Sequence, residues 1–173
     1  MLLDRGGQVQ YRLNLVSYIN NMKILLYGFK LFGKYKTNIS ERVVNNIQPR
    51  QGLVKVVFPV KFNKSLFTRT VKQVRPDVIL GIGQCGRGNK IRIERTAHNQ
   101  GQHVRHVSLQ LRPDAVSRIS YDAGDYVCNF SMVTILDALR RTSTKFAFIH
   151  VPQAFNLDKA VQFVERQLKA IKK

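Results

Sequence analysis

Residues 76–83 read Pro-Asp-Val-Ile-Leu-Gly-Ile-Gly, and this stretch decides the fold. Pro76-Asp77 interrupts what precedes it. The run that follows is too short for a helix and too uniformly apolar for a strand with one wet face. Residues 78–83 therefore read as a strand buried on both sides, the kind found inside a parallel sheet. Two other stretches share the design: residues 22–28 (MKILLYG) and residues 146–151 (FAFIHV). Residues 54–60 (VKVVFPV) give a further strand, and Pro59 sets its end at a sheet edge.

Helical patterns fill the gaps. One is predicted from Asn38 or Ser40 to Ile47, capped by Ser40 and closed by Pro49. Residues 62–74 are helical in character. Residues 126–139 carry a broad apolar face of Val127, Phe130, Val133, Ile135, Leu136 and Leu139. Residues 157–171 repeat that face with Leu157, Ala160, Val161, Val164, Leu168 and Ile171. Strands alternating with crossover-length helices predict an α/β domain with a largely parallel central sheet. Ligands of such sheets sit beyond the carboxyl ends of the strands. Those ends are Gly28-Phe29, Gly83-Gln84 and His150-Val151.

Length and composition bound the rest. A chain of 173 residues makes one domain with room for a real core, not two separate enzyme domains. A hydrophobic content of 44% argues against disorder. Two widely separated cysteines do not make a disulfide module or a zinc site, and no metal is expected. No apolar run approaches the roughly 20 residues that span a bilayer. Lysine plus arginine exceed aspartate plus glutamate by 29 to 10, a formal charge of +19. That charge suits phosphate-bearing partners, so RNA or a ribosome is a candidate partner, with a solvated basic face as the plain alternative. Residues 1–21 fit neither an amphipathic arm nor a targeting peptide well, and the domain is expected to begin at Met22.

The chemistry-bearing residues are few. Cys128 stands near the start of a predicted helix, whose positive end favours a thiolate. His150 closes an apolar strand. With an orienting acid, the two could form a nucleophilic triad; a core cysteine and a core or interface histidine are the plain alternatives. Glu94, between Arg92 and Arg95, is either that acid or a member of a surface ion pair. Cys85 is a second thiol without an identifiable base. The glycine-rich residues 81–88 (GIGQCGRG) lack the dinucleotide fingerprint and any following GKS or GKT, which argues against a nucleotide loop.

Four blocks carry a resemblance. They are LLYGFKLFGKYKTNIS, VRPDVILGIGQCGRGNKIRIERTAHN, SYDAGDYVCNF and FAFIHVP. Together they resemble the pyroglutamyl peptidase I family. The resemblance implies a three-layer α/β/α sandwich around a mostly parallel twisted sheet. It implies a cysteine peptidase that removes N-terminal pyroglutamate and needs no metal or cofactor. It assigns Cys128 as nucleophile, His150 as base and Glu94 as orienting acid. Phe29 and Phe32 match pocket-lining positions, and Asn38 and Gln84 match polar ones. Cytoplasmic location and a homo-oligomer are implied as well; an organelle is the alternative if residues 1–21 form a targeting segment.

Departures accompany the likeness. Only 20 residues separate Asn99 from Ser120, fewer than the family pattern, so the domain spanning 22–173 is expected to be shortened around 100–119. Arg105 is the candidate for an arginine near the oxyanion. Lys30-Leu31 and Lys34 replace an acid-proline pair and a glycine. With the basic charge, these departures motivate the alternative of a weakened, family-derived subunit that contacts RNA.

Overall fold

The structure is a computed structural model that describes residues 22–33, 36–99 and 104–171. The predicted extension at 1–21, Lys34 and residues 100–103 of the shortened segment lie outside the described residues.

The elements in chain order are β1 (Ile24–Phe29), α1 (Ile39–Asn46), β2 (Leu53–Phe58), α2 (Lys64–Val74), β3 (Val78–Cys85), β4 (Ile91–Glu94) and β5 (Thr96–His98). They continue with β6 (Val104–His106), β7 (Ser117–Ser120), α3 (Val127–Leu139), β8 (Lys145–Pro152) and α4 (Leu157–Ile171). Six strands form one sheet in the order β2-β1-β3-β8-β4-β7. β1, β2, β3 and β8 run parallel, whereas β4 pairs antiparallel with β8 and parallel with β7. β5 and β6 make a separate antiparallel ribbon.

Alternation along the central strands sends their side chains to two cores. Ile24, Leu26, Leu80 and Ile82 face α1 and α4 through Val43, Val44, Phe163 and Val164. Leu25, Tyr27, Phe29 and Ile79 face α2 and α3 through Phe67, Met132 and Ile135. The mostly parallel α/β/α sandwich is thus in place. β1, β3 and β8 need apolar side chains on both faces, which explains their unbroken hydrophobic runs. β2 is an edge, as Pro59 foretold. Its Lys55 reaches the carbonyls of Asn45 and Ile47 at the end of α1, at 3.2 and 2.8 Å.

Two details fix the loop after β1. Asn38, not Ser40, caps α1: its Oδ1 accepts from the Ser40 amide at 2.9 Å. Ser40 instead turns its hydroxyl to Phe29, accepting from the Phe29 amide at 3.0 Å. Gly28 permits this approach, since a Cβ there would lie 2.8 Å from the Ser40 carbonyl oxygen. The glycine-rich stretch also differs from a loop: β3 continues through Cys85 and takes Gly81 and Gly83 into the sheet. None of the helices among the described residues is long and apolar enough to cross a membrane.

Candidate active site

The carboxyl ends of β1, β3 and β8 meet the start of α3 at one cleft of about 190 Å³. Cys128 is the second residue of α3, and His150 lies on β8. Glu94 ends β4, and its register with β8 sets Arg92 opposite His150 and Glu94 opposite Phe148. With a side-chain period of two, Arg92 and Glu94 share the face that His150 occupies.

Glu94 Oε1 and His150 Nδ1 are 2.8 Å apart, with Glu94 fully buried and His150 4% exposed. The second Glu94 oxygen, Oε2, meets no hydrogen-bond partner among the described residues. A buried carboxylate that accepts from Nδ1–H fixes the tautomer and leaves Nε2 to accept a proton. Neither flanking arginine forms the surface ion pair with Glu94: Arg95 donates to the Leu111 carbonyl at 2.8 Å, and Arg92 turns to the cleft.

The other half of the arrangement converges on Gly83. A Cβ placed there would lie 2.6 Å from Cys128 Sγ and 2.9 Å from His150 Nε2. Sulfur and ring nitrogen are therefore no further apart than the sum of those two lengths. The missing side chain makes room for both. Gly83→Ala is expected to lower kcat by about 10²-fold with the fold retained, because displacing either group by an ångström disrupts their alignment. Steady-state kinetics beside circular dichroism tests this. An unchanged kcat in the folded variant would show that the two groups do not act together.

The expected lowering of the Cys128 pKa is reversed. Burial first, then the fields of Cys85 and Glu94, push the thiol up to about 12, against the downward pull of its own backbone N–H. The helix start is present but desolvation outweighs it. Tyr126, the N-cap residue, makes no side-chain capping bond, so the first amides of α3 are left to other acceptors. Asn129 holds the next turn: its side chain exchanges bonds of 2.8 and 2.7 Å with the backbone of His98, tying β5 to α3.

Phe29, Phe32, Asn38 and Gln84 all line the cleft. Phe29 is a nearly closed core ring, edge-on to Tyr27 and Phe67. Phe32 is half-buried and tilted against Tyr126 at 5.4 Å. Asn38 uses its amide within the loop, donating to the Lys30 carbonyl at 3.0 Å besides capping α1. Gln84 accepts from the Ile39 amide at 2.9 Å through Oε1. Arg105 stands elsewhere: on β6, its Nε donates to Asp137 of α3 at 2.7 Å, and it does not line the cleft. An oxyanion role for Arg105 draws no support from this placement. Arg92, Asp122 and Tyr126 line the cleft without having been foreseen there. Period two on β4 could have grouped Arg92 with Glu94, but only the register with β8 reveals what they face.

An imidazole held by a buried carboxylate, with its other nitrogen and a thiol both beside Gly83, is suited to take and return a proton. This puts the molecule in the class of α/β thiol hydrolases. The relationship extends to sequence: residues 22–108 match the family model for pyroglutamyl peptidase, and the chain belongs to that family. The matched span contains Glu94 and ends before Cys128 and His150.

The chain is 29% identical to pyrrolidone-carboxylate peptidase 2 of Caldanaerobacter subterraneus subsp. tengcongensis, over 76% of this chain and 81% of that one. It is also 29% identical to the pyrrolidone-carboxylate peptidase of Thermococcus onnurineus, over 76% and 84%. Its fold is similar to the pyrrolidone carboxyl peptidase of Thermococcus litoralis, with a TM-score of 0.72 and 20% identity over 86% of this chain and 92% of that one. The pyroglutamyl peptidase I of Bacillus amyloliquefaciens gives 0.70 and 22%, over 83% and 93%.

Proposed function

We propose that this chain is a cysteine peptidase that removes N-terminal pyroglutamate from peptides, with Cys128 as nucleophile, His150 as base and acid, and Glu94 as orienting acid. One observation carries the assignment: the buried Glu94–His150 bond at 2.8 Å, with Nε2 and the Cys128 sulfur both set against Gly83.

The raised thiol pKa favours the following order of events. Cys128 rests as a neutral thiol. As sulfur attacks the pyroglutamyl carbonyl carbon, its proton passes to His150 Nε2, and Glu94 stabilises the imidazolium that results. The negative oxygen of the tetrahedral intermediate is met by backbone amides at the start of α3. His150 then returns the proton to the departing amine as the carbon–nitrogen bond breaks. A water, deprotonated by His150, hydrolyses the thioester. One water is consumed, and pyroglutamate and the shortened peptide are released. No metal or cofactor enters these steps.

The ring site follows from the cleft walls. Phe32 and Tyr126 offer flat apolar surface to a five-membered lactam. Gln84 has Oε1 engaged by Ile39, so Nε2 is its donor for the ring carbonyl. Asn38 positions Phe32 by holding the loop. We place the shortening of the chain at 100–119. None of the described residues in that range lines the cleft, whose walls come from other elements. Family membership favours the peptidase over the RNA-contacting alternative, and the charge of +19 is left to another role.

A fluorogenic pyroglutamyl amide is expected to be hydrolysed by the purified protein, and the matched prolyl amide, which lacks the ring carbonyl, at least about 100-fold more slowly. Equal turnover of the two, or none of either, would overturn the proposal.

A further inference from the structure

Arg92 is a charged group in the cleft that the hydrolysis above does not use. Arg92 is half-buried and, like Cys85, lines the cleft. It makes no salt bridge to any carboxylate among the described residues. Glu94 Oε1 holds His150 and Asp122 Oδ1 accepts from the Gly124 amide at 2.9 Å, while the fields of both carboxylates reach Arg92 without a salt bridge. A partly desolvated guanidinium with no carboxylate paired to it is a ready receptor for an anion.

Position says which anion. Arg92 is directly opposite His150 in the antiparallel register of β4 and β8. Side chains so paired share a face, with Cβ atoms about 4.5–5.5 Å apart. His150 protonates the departing amine, so the residue that follows pyroglutamate leaves from beside His150. Arg92 lines the cleft on that same side. The lactam, by contrast, is bounded by Phe32, Tyr126 and Gln84, at the ends of other elements.

Resting on the peptidase reading, we propose that Arg92 determines specificity on the leaving side of the scissile bond, selecting pyroglutamyl peptides that carry a carboxylate on the residue after pyroglutamate. The carboxylate is either an acidic side chain or the free carboxyl terminus of a dipeptide. The net charge of +19 acts in the same sense, raising the local concentration of anionic peptides.

The test compares three substrates: pyroglutamyl-glutaminyl amide, which is neutral; pyroglutamyl-glutamyl amide, with a side-chain carboxylate; and pyroglutamyl-glutamine, with a terminal one. For the wild type at low salt, kcat/KM for at least one acidic substrate is expected to exceed that for the neutral one by about tenfold, the size of one charge-assisted hydrogen bond in a half-exposed site. Which acidic substrate shows the gain identifies the source of the carboxylate. Arg92→Gln is expected to collapse the ratio towards unity, chiefly through KM, and Arg92→Lys to restore part of it. The ratio is the readout, so a general loss of stability in a variant does not imitate the result. A ratio near unity in the wild type, or one that survives Arg92→Gln, overturns the assignment to Arg92, the latter placing the preference in the overall field. Failure of the wild type on all three substrates overturns the peptidase reading instead.

Discussion

Cys128→Ala is expected to lower kcat for a pyroglutamyl amide by about 10⁴-fold or more, because loss of the nucleophile removes the covalent route entirely. The alanine fits the same buried site, so the protein should remain folded and still bind the lactam. Turnover within tenfold of the wild type would remove Cys128 from the mechanism. A second observable separates a resting thiol from a preformed thiolate–imidazolium pair. The thiolate is the species that reacts with iodoacetamide. With the Cys128 thiol pushed up to about 12, its alkylation in a Cys85→Ser background should still accelerate between pH 8 and about 10. A preformed ion pair would instead give a rate that levels off below neutrality.

The second large effect is expected from Glu94→Gln. The two side chains have nearly the same volume, so the buried site can keep its packing. The amide, however, can donate to Nδ1, which leaves the proton of a neutral imidazole on Nε2, where it cannot accept from sulfur. Loss of the correct tautomer and of the charge that stabilises the imidazolium should lower kcat by about 10³–10⁴-fold with KM little changed. Steady-state kinetics on the folded variant measures this. Less than a tenfold loss would assign Glu94 a structural role alone.

On the proposed mechanism, the fully buried Glu94 has a catalytic reason to sit in the core. A buried carboxylate with one partnered oxygen is a poor source of stability, since desolvation opposes the attraction to its partner. An apolar residue at 94 would pack against Phe148 more cheaply, but it could not hold the ring of His150. The elevated Cys128 pKa belongs to the same design. Burial raises the thiol pKa, so the proposed mechanism couples proton transfer to His150 with substrate attack.

Much of this was legible in the residues. The continuous apolar runs at 78–83 and 146–151 required burial on both faces, and α4 occupies 157–171 as its periodicity predicted. The strands β5, β6 and β7 were not foreseen. They are three or four residues long and lack a hydrophobic period of their own, so their existence depends on partners distant in the chain. The cap of α1 was misplaced by two residues because Asn38 and Ser40 are both good caps. The choice fell to Asn38 once Gly28 let Ser40 reach the Phe29 backbone.

By itself, the sequence determined the alternation of buried strands and amphipathic helices, hence the α/β class, the strand ends that border the cleft, and the identities of Cys128, His150 and Glu94. These are local properties of composition and period, joined to a recognisable order of motifs. Only the tertiary structure decided what those residues do to one another. The antiparallel pairing of β4 with β8 is a contact between segments more than fifty residues apart, and no local pattern encodes its register. That register sets Glu94 on His150 and turns Arg92 into the cleft, while Arg105 is drawn to Asp137. The thiol pKa was decided in the same way: the helix start is written in the chain, but desolvation arises only when the sandwich closes around Cys128.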